Sequence, residues 1–296
     1  MNKNTVSVIM NCYNGVDYVE DAIKSVIAQT HNNWELIFWD NKSTDNSSNV
    51  LKKFKDDRIK YYLSKEHTSQ YEARRRAVLE ATGEFIAFLD VDDWWKEDKI
   101  EKQLKLFSDK DIGFATSNYW IINERKKNNK LAFKSIPSGK ILNKLLKRNF
   151  IGMSTLMVRK SCYFALDYGF DPKYEIIGDY DLVLRLASKF NLASINQPLS
   201  FYRWHGKNLG FIKFDLNLRE LEFWIEENKS KKIFREQQNF KYLKDYTKFY
   251  IGLNKILNKN RIEALSYIIK INNIFFKLKL LIVILMPLFL IKFIRS

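Results

Sequence analysis

Residues 84–95 read EFIAFLDVDDWW, an apolar run closed by three aspartates within four positions, Asp90, Asp92 and Asp93. A short, uninterrupted apolar stretch rich in aromatic residues is the pattern of a strand buried on both faces. Three carboxylates so close together repel one another and resist burial, so the end of this strand requires solvent or a cation. Hard oxygen donors suit Mn²⁺ or Mg²⁺. A solvated turn or a helix cap would accommodate the same residues, but their position directly after a buried strand favours a metal site.

Working outward, residues 5–12, 34–40 and 59–63 repeat the apolar, β-branched or aromatic pattern and are predicted as further strands. Helical spacing occupies 16–29, with Val19, Ala22, Ile23, Val26 and Ile27 on one face, then 46–54 and 71–81, the last closed by Gly83. Strands alternating with helices of this length predict an α/β fold on a parallel sheet covered on both faces. Ligands of such sheets sit beyond the carboxyl ends of the strands, which singles out Tyr13, Asn14, Asp40, Asn41 and residues 90–93. A second portion mixes strands (113–120, 154–158, 192–202) with helices (141–148, 179–190), and helices follow to the end. The polar segment ERKKNNK at 124–130 is predicted as an exposed hairpin or loop.

With 46% hydrophobic and 28% charged residues among 296, the chain has material for a sizeable core and is not a disordered polymer. Cys12 and Cys162 lack any ligand or disulfide spacing, so neither a zinc site nor a disulfide framework is indicated. No secretory signal pattern precedes the first strand, and a cytoplasmic location is expected. The net charge of +16 is uneven, because residues 206–296 hold 18 Lys/Arg against eight Asp/Glu. That balance suits an anionic surface, phospholipid or nucleic acid, and composition alone does not separate the two.

In order along the chain, VSVIMNCYNG (6–15), WELIFWDNKSTDNS (34–47), EARRRAVLEATGEFIAFLDVDDWW (72–95) and IGDYDLVLRL (177–186) resemble the signature of family-2 glycosyltransferases with the GT-A fold. The resemblance implies a catalytic domain over 1–205, with a Rossmann-like, mostly parallel central sheet and helices on both faces. A basic helical C-terminal region over 206–296 lies outside it. The implied activity is inverting, metal-dependent transfer of a sugar from a nucleoside-diphosphate donor, with a lean to UDP. The implied acceptor is a saccharide or lipid-linked saccharide in bacterial surface glycan assembly.

By the same resemblance, Asn11 and Tyr13 lie near the nucleobase. The second strand of the family usually ends in two acidic residues, and here Asn41 follows Asp40; an amide both donates and accepts, so it retains the means to read an imide edge. Asp45 and Ser43 suit a turn and helix cap instead. Of Arg74, Arg75 and Arg76, which point about 100° apart on a helix, Arg74 is expected to face the diphosphate. Asp92 falls to the ribose and metal and Asp93 to the metal, with Asp90 beside them. Asp179 corresponds to the catalytic base, where many relatives carry Glu-Asp and this chain carries Gly178-Asp179; as a helix N-cap it would also be at home. Asp181 is expected to be structural. Arg203 and His205 fall where relatives carry an Arg-x-His segment and are expected to close over the diphosphate.

Residues 280–291 (LLIVILMPLFLI) are apolar and flanked by Lys277, Lys279, Lys292 and Arg295. Twelve residues interrupted by Pro287 are too few for a span, which needs about 20. They predict either an interfacial helix on an anionic membrane, holding the protein peripherally on the inner face of the cytoplasmic membrane, or a helix buried in the protein. Two other functions compete. A sugar-phosphate nucleotidyltransferase would open with a Gly-rich phosphate loop, which residues 11–18 (NCYNGVDY) lack. A nucleic-acid-binding protein is suggested by charge alone, and no helix-turn-helix, RNP-like or zinc signature accompanies it.

Overall fold

A computed structural model describes residues 4–287 and 290–291. The chain divides into two compact units: Met1–Ile141 with Phe150–Asn208, and Leu142–Asn149 with Leu209–Ser296.

The first unit is built on nine strands among the described residues: β1 (Val6–Cys12), β2 (Trp34–Asp40), β3 (Ile59–Leu63), β4 (Phe85–Phe88), β5 (Trp94–Trp95), β6 (Ile112–Asn123), β7 (Asn128–Leu131), β8 (Met157–Arg159) and β9 (Asn191–Trp204). They form one sheet in the order β3-β2-β1-β4-β8-β6-β9-β5, with β7 paired to β6. The half from β3 to β4 is parallel, as the alternating pattern predicts. Beyond it β8 lies antiparallel to both β4 and β6, whereas the long β6–β9 ladder is parallel again.

Strands β1, β2 and β4 are buried on both faces, which explains their continuous apolar runs. Val6, Val8, Met10 and Cys12 of β1 share a core cluster with Val19, Ile23 and Val26 of the helix Val19–Ile27. Residues 124–127 join β6 to β7 as the expected hairpin. The strand expected at 154–158 begins later, because Thr155 turns its backbone N–H and hydroxyl back to the Gly152 carbonyl and makes Met153–Thr155 a 3₁₀ turn.

The second unit is helical, with Leu142–Lys147, Phe214–Asn228, Gln238–Leu257, Arg261–Lys270 and Ile274–Leu285 as its main elements. Asn143 holds the start of the helix Gln238–Leu257 through two hydrogen bonds to Asn239. Phe249, Leu253, Ile256, Ala264, Ile271 and Leu280 are among the residues at its centre. The apolar segment at 280–291 is therefore partly integrated into this core; residues 288 and 289, and the flanking Lys292 and Arg295, lie outside the described residues.

Candidate active site

Parallel pairing brings the ends of β1, β2 and β4 to one edge of the sheet, since Cys12 pairs with Asp40 and Ile9 with Phe88. The loops that follow lock together there. Asn14 and Gly15 donate backbone N–H to Ser43 Oγ and Ser47 Oγ, and Val16 donates to Asp45 Oδ2. Ser43 and Asp45 thus serve the turn, as their residue types suggest. A Cβ on Gly15 would fall 2.8 Å from Val91 Cγ2, so only glycine lets this loop approach the turn that carries the aspartates.

That turn closes through Asp93 N–H to the Asp90 carbonyl at 3.0 Å. It gathers one carboxylate oxygen each from Asp90, Asp92 and Asp93 within 4.8 Å of one another. Asp93 is 2% exposed. Burial pushes its carboxyl well above the usual range, reinforced by the charges of Asp92 and Asp90 and opposed by hydrogen bonds from the Ser154 hydroxyl and Arg203 N–H. Three hard oxygen donors at this spacing fit a Mg²⁺ or Mn²⁺ ion, whose charge would relieve the crowding.

Strand pairing explains why residues more than a hundred positions away join this turn. Trp94 and Trp95 of β5 pair with Phe201 and Ser200 of β9, so the end of β9 comes back beside the aspartates. Arg203 Nε donates to the Asp92 carbonyl at 2.9 Å, and its terminal nitrogens pair with Glu124 and Asp21 at 2.8 and 2.9 Å. Its guanidinium also lies over the Trp94 and Tyr18 rings, 4.5 and 4.9 Å from their centres. His205 stacks on Tyr18 and places Nε2 3.1 Å from Asp92 Oδ2. Because Lys207 N–H donates to His205 Nδ1, the ring proton sits on Nε2 and is directed to Asp92.

The helix Gln70–Leu79 starts at Ser69, whose hydroxyl accepts the N–H of Glu72, and its phase separates the three arginines. Arg75 and Arg76 turn outward to Glu72, Arg76 reaching Glu66 as well. Arg74 turns inward, is 6% exposed and bonds Asp90 through its NH2 group. The same guanidinium lies 5.3 Å from the centre of the Tyr71 ring and acts on the charge of Asp179. Its charge is thus felt at Asp179 as well as at Asp90, to which it is bonded.

Asp179 is the second residue of the helix Gly178–Lys189, whose cap position is Ile177, so it is not an N-cap. Its Oδ1 accepts from Tyr180 N–H at 2.7 Å and lies 3.1 Å from Tyr71 OH, whose single proton it shares with the Ile176 carbonyl at 2.8 Å. Desolvation raises its carboxyl above the ordinary range, opposed chiefly by the charge of Arg74. Asp181 turns away and pairs with Arg185 one turn further on. The glycine at 178 has a local cause: a Cβ there would lie 2.5 Å from the ring of Tyr71, which is 2% exposed.

The residues expected near a nucleobase are less alike. Tyr13 is 46% exposed and its ring lies 3.9 Å from that of His67. Asn11, on β1, keeps a buried Oδ1 with no hydrogen-bond partner among the described residues. Asn41 is 1% exposed; its amide nitrogen donates to the Thr68 carbonyl at 2.8 Å, and its oxygen accepts from Thr68 N–H and hydroxyl. That side chain anchors the loop leading to Ser69. Tyr71 and Ser154 are site residues that the sequence does not single out, because one sits in a helical pattern and the other in an apparent strand.

Comparison with known proteins accords with this geometry. The sequence profile for "Glycosyl transferase family 2" matches residues 7–162. An Escherichia coli UDP-Glc:alpha-D-GlcNAc-diphosphoundecaprenol beta-1,3-glucosyltransferase, WfgD, is 36% identical over 66% of this chain and 75% of its own length. The putative teichuronic acid biosynthesis glycosyltransferase TuaG of Bacillus subtilis is 30% identical over 82% of this chain and 92% of its own. Among solved structures, S. aureus TarS 1–349 in complex with UDP-GlcNAc superposes with a TM-score of 0.69 at 16% identity, over 89% of this chain and 80% of that one. A mannosyltransferase from Pyrobaculum calidifontis, in complex with GDP-Man and Mn²⁺, gives 0.61 at 15% identity over 90% and 74%. The two structures share the fold.

Proposed function

The chain belongs to glycosyl transferase family 2, and from that premise we propose that it is an inverting enzyme moving a sugar from a UDP-sugar to a saccharide carried on a membrane lipid. The observation that carries the reading is the gathering of Asp90, Asp92 and Asp93 at the strand edge, with Arg74 bonded to Asp90 and its charge felt at Asp179. The acceptor class is supported by WfgD, whose own acceptor is a GlcNAc-diphosphoundecaprenol. An enzyme with such an acceptor works at the inner face of the cytoplasmic membrane, and the basic C-terminal unit supports peripheral attachment there.

In this reading Asp92 and Asp93, with Asp90 beside them, would hold a Mn²⁺ or Mg²⁺ ion, which supplies neutralisation of the diphosphate when bound. Arg203 fixes the turn's shape and His205 orients Asp92. Tyr13, exposed just beyond the end of β1, faces the nucleoside, with Asn11 close behind it on the strand. The acceptor hydroxyl attacks the anomeric carbon as the bond to the diphosphate breaks and the leaving group keeps the electron pair. Asp179 takes the hydroxyl proton. Its raised affinity for a proton suits that task, and its half-buried position leaves a path for the acceptor.

A screen of sugar nucleotides for slow hydrolysis with and without Mn²⁺ tests the reaction class without knowledge of the acceptor. Turnover of a UDP-sugar that needs the ion is expected; no binding or hydrolysis of any sugar nucleotide would overturn the proposal. Tyr71→Phe gives a finer test, since it keeps the ring against Gly178 and removes the hydroxyl whose proton is shared between Asp179 and the Ile176 carbonyl. Transfer should slow roughly two- to tenfold, the worth of one such hydrogen bond. Because the lost bond favoured the ionised form, the acid limb of the pH profile should move upward. An unmoved limb would detach Tyr71 from the base.

A further inference from the structure

The helix Ile274–Leu285 contains two lysines and ten apolar residues, and it is not uniformly buried. Phe276, Leu280, Val283 and Ile284 pack into the core of the second unit. At about 100° per residue these four share one face. The opposite face carries Ile274, Phe275, Leu278, Leu281, Ile282 and Leu285, exposed by 39% to 83%. Lys277 and Lys279 fall at the two borders between these faces, one on each side. The adjoining helix Arg261–Lys270 packs against it and exposes Ile262 and Ile269 by 85% and 83%.

Neither helix end is loose in a way that would explain this exposure. Asp245 accepts the backbone N–H of Asn272 and Asn273 at 3.0 and 2.9 Å, fixing the entry to the helix. Arg261 donates to the carbonyls of Ile284 and Met286 at 2.6 and 2.7 Å, fixing its exit. Large apolar side chains gathered on a surface mark an interaction face. In sequence this stretch is basic: after Glu263, which pairs with Lys255, it holds Lys270, Lys277, Lys279, Lys292 and Arg295 and no acidic residue.

We infer that this two-helix face lies in the plane of an anionic bilayer, with its apolar side chains below the headgroups and Lys277 and Lys279 level with lipid phosphates. Bordering lysines have stems long enough to reach that level while the helix sinks. Among the described residues no helix is long and apolar enough to cross a membrane, so the attachment is lateral. The inference rests on the membrane association proposed above and gives it a surface.

The test uses the full chain and sedimentation with vesicles of phosphatidylglycerol and phosphatidylcholine, compared with phosphatidylcholine alone. Wild type should bind the anionic vesicles and lose affinity as salt rises. The triple variant Phe275→Ser, Ile282→Ser, Leu285→Ser should partition at least about tenfold less, since each replacement removes a bilayer-facing apolar group. Lys277→Gln with Lys279→Gln should remove most of the preference for anionic lipid. Leu79→Ser, equally exposed at 60% but in the first unit, should bind as wild type. All altered side chains are exposed or bordering, and thermal unfolding verifies that the variants remain folded. Undiminished binding of the triple variant would overturn the inference, as would a triple variant that merely converts a dimer to a monomer. Hydrolysis of a UDP-sugar in solution, unchanged in every variant, separates failure of this surface from failure of the transferase reading.

Discussion

Asp179→Asn is expected to bind the UDP-sugar as wild type does and to transfer it on the order of 10² to 10⁴ times more slowly, the usual cost of losing a general base. Asparagine keeps the size of the side chain and an oxygen for the Tyr180 N–H and Tyr71 hydroxyl, so the geometry survives while the proton acceptor is lost. The wild-type rate should fall as pH drops through the raised pKa of Asp179, placing its acid limb above the ordinary aspartate value of about 3.9. The effect on stability has the opposite sense. A carboxyl whose folded pKa is raised binds its proton more tightly when folded, so its contribution is present at low pH and is lost as pH rises from the unfolded value through the raised one. Asparagine never ionises, and the variant should therefore be at least as stable as wild type at neutral pH. Transfer rate, donor dissociation constant and thermal unfolding together decide the matter: a fully active variant would remove Asp179 from catalysis, and lost donor binding would assign it to the donor pocket.

The second large effect is expected from Asp93→Asn, which should weaken Mn²⁺-dependent donor binding by on the order of a hundredfold or more. Altering the groups that merely orient metal ligands typically costs 10- to 100-fold, and removal of a ligand's charge should cost no less. The amide oxygen can still accept from Arg203 N–H, while its nitrogen can donate to the Ser154 hydroxyl, which also accepts. A buried charge is exchanged for a neutral group of the same shape, so the fold should not suffer. Asp92→Asn, at a less buried position, should weaken binding in the same direction. Titration with Mn²⁺ followed by its paramagnetic signal, alone and with UDP-sugar, provides the measurement. If both variants bind ion and donor as wild type does, the metal site lies elsewhere.

Much of this architecture is legible in residues that act locally. β2 and β3 occupy the spans that their sequence patterns define, and the charged residue near the start of each, Glu35 and Lys60, pairs with the other. β4 stops at Phe88; Leu89 still donates its N–H to the Ile9 carbonyl, and the turn that gathers the aspartates begins at Asp90. Among the three arginines, helical phase alone predicts that they diverge, but only the position of Asp90 shows that Arg74 is the inward one. Asn41 illustrates the limit. Its type and position invite a base-reading role, whereas its amide is engaged by Thr68, 27 residues later in the chain, and no local pattern announces that return. Ser154 likewise reaches Asp93 only because β8 inserts antiparallel beside β4. The tail hides its two-sidedness for a different reason: both faces of the helix Ile274–Leu285 are apolar, so hydropathy gives one signal for a buried stripe and an exposed one.

The double fastening of that helix, by Asp245 at its entry and Arg261 at its exit, bears on how the protein can be shortened. A hydrophobic tail is the usual first sacrifice when a peripheral enzyme is recast as a readily purified reagent. Here a cut before Ile274 would strip Phe276, Leu280, Val283 and Ile284 from their packing, each worth roughly 1.5–3 kcal/mol of burial, and leave the Arg261 guanidinium without the carbonyls it binds. The trimmed chain would exchange an exposed apolar face for a raw core surface, stickier than the one removed. Solubility is better sought by repainting the outward side chains than by amputation.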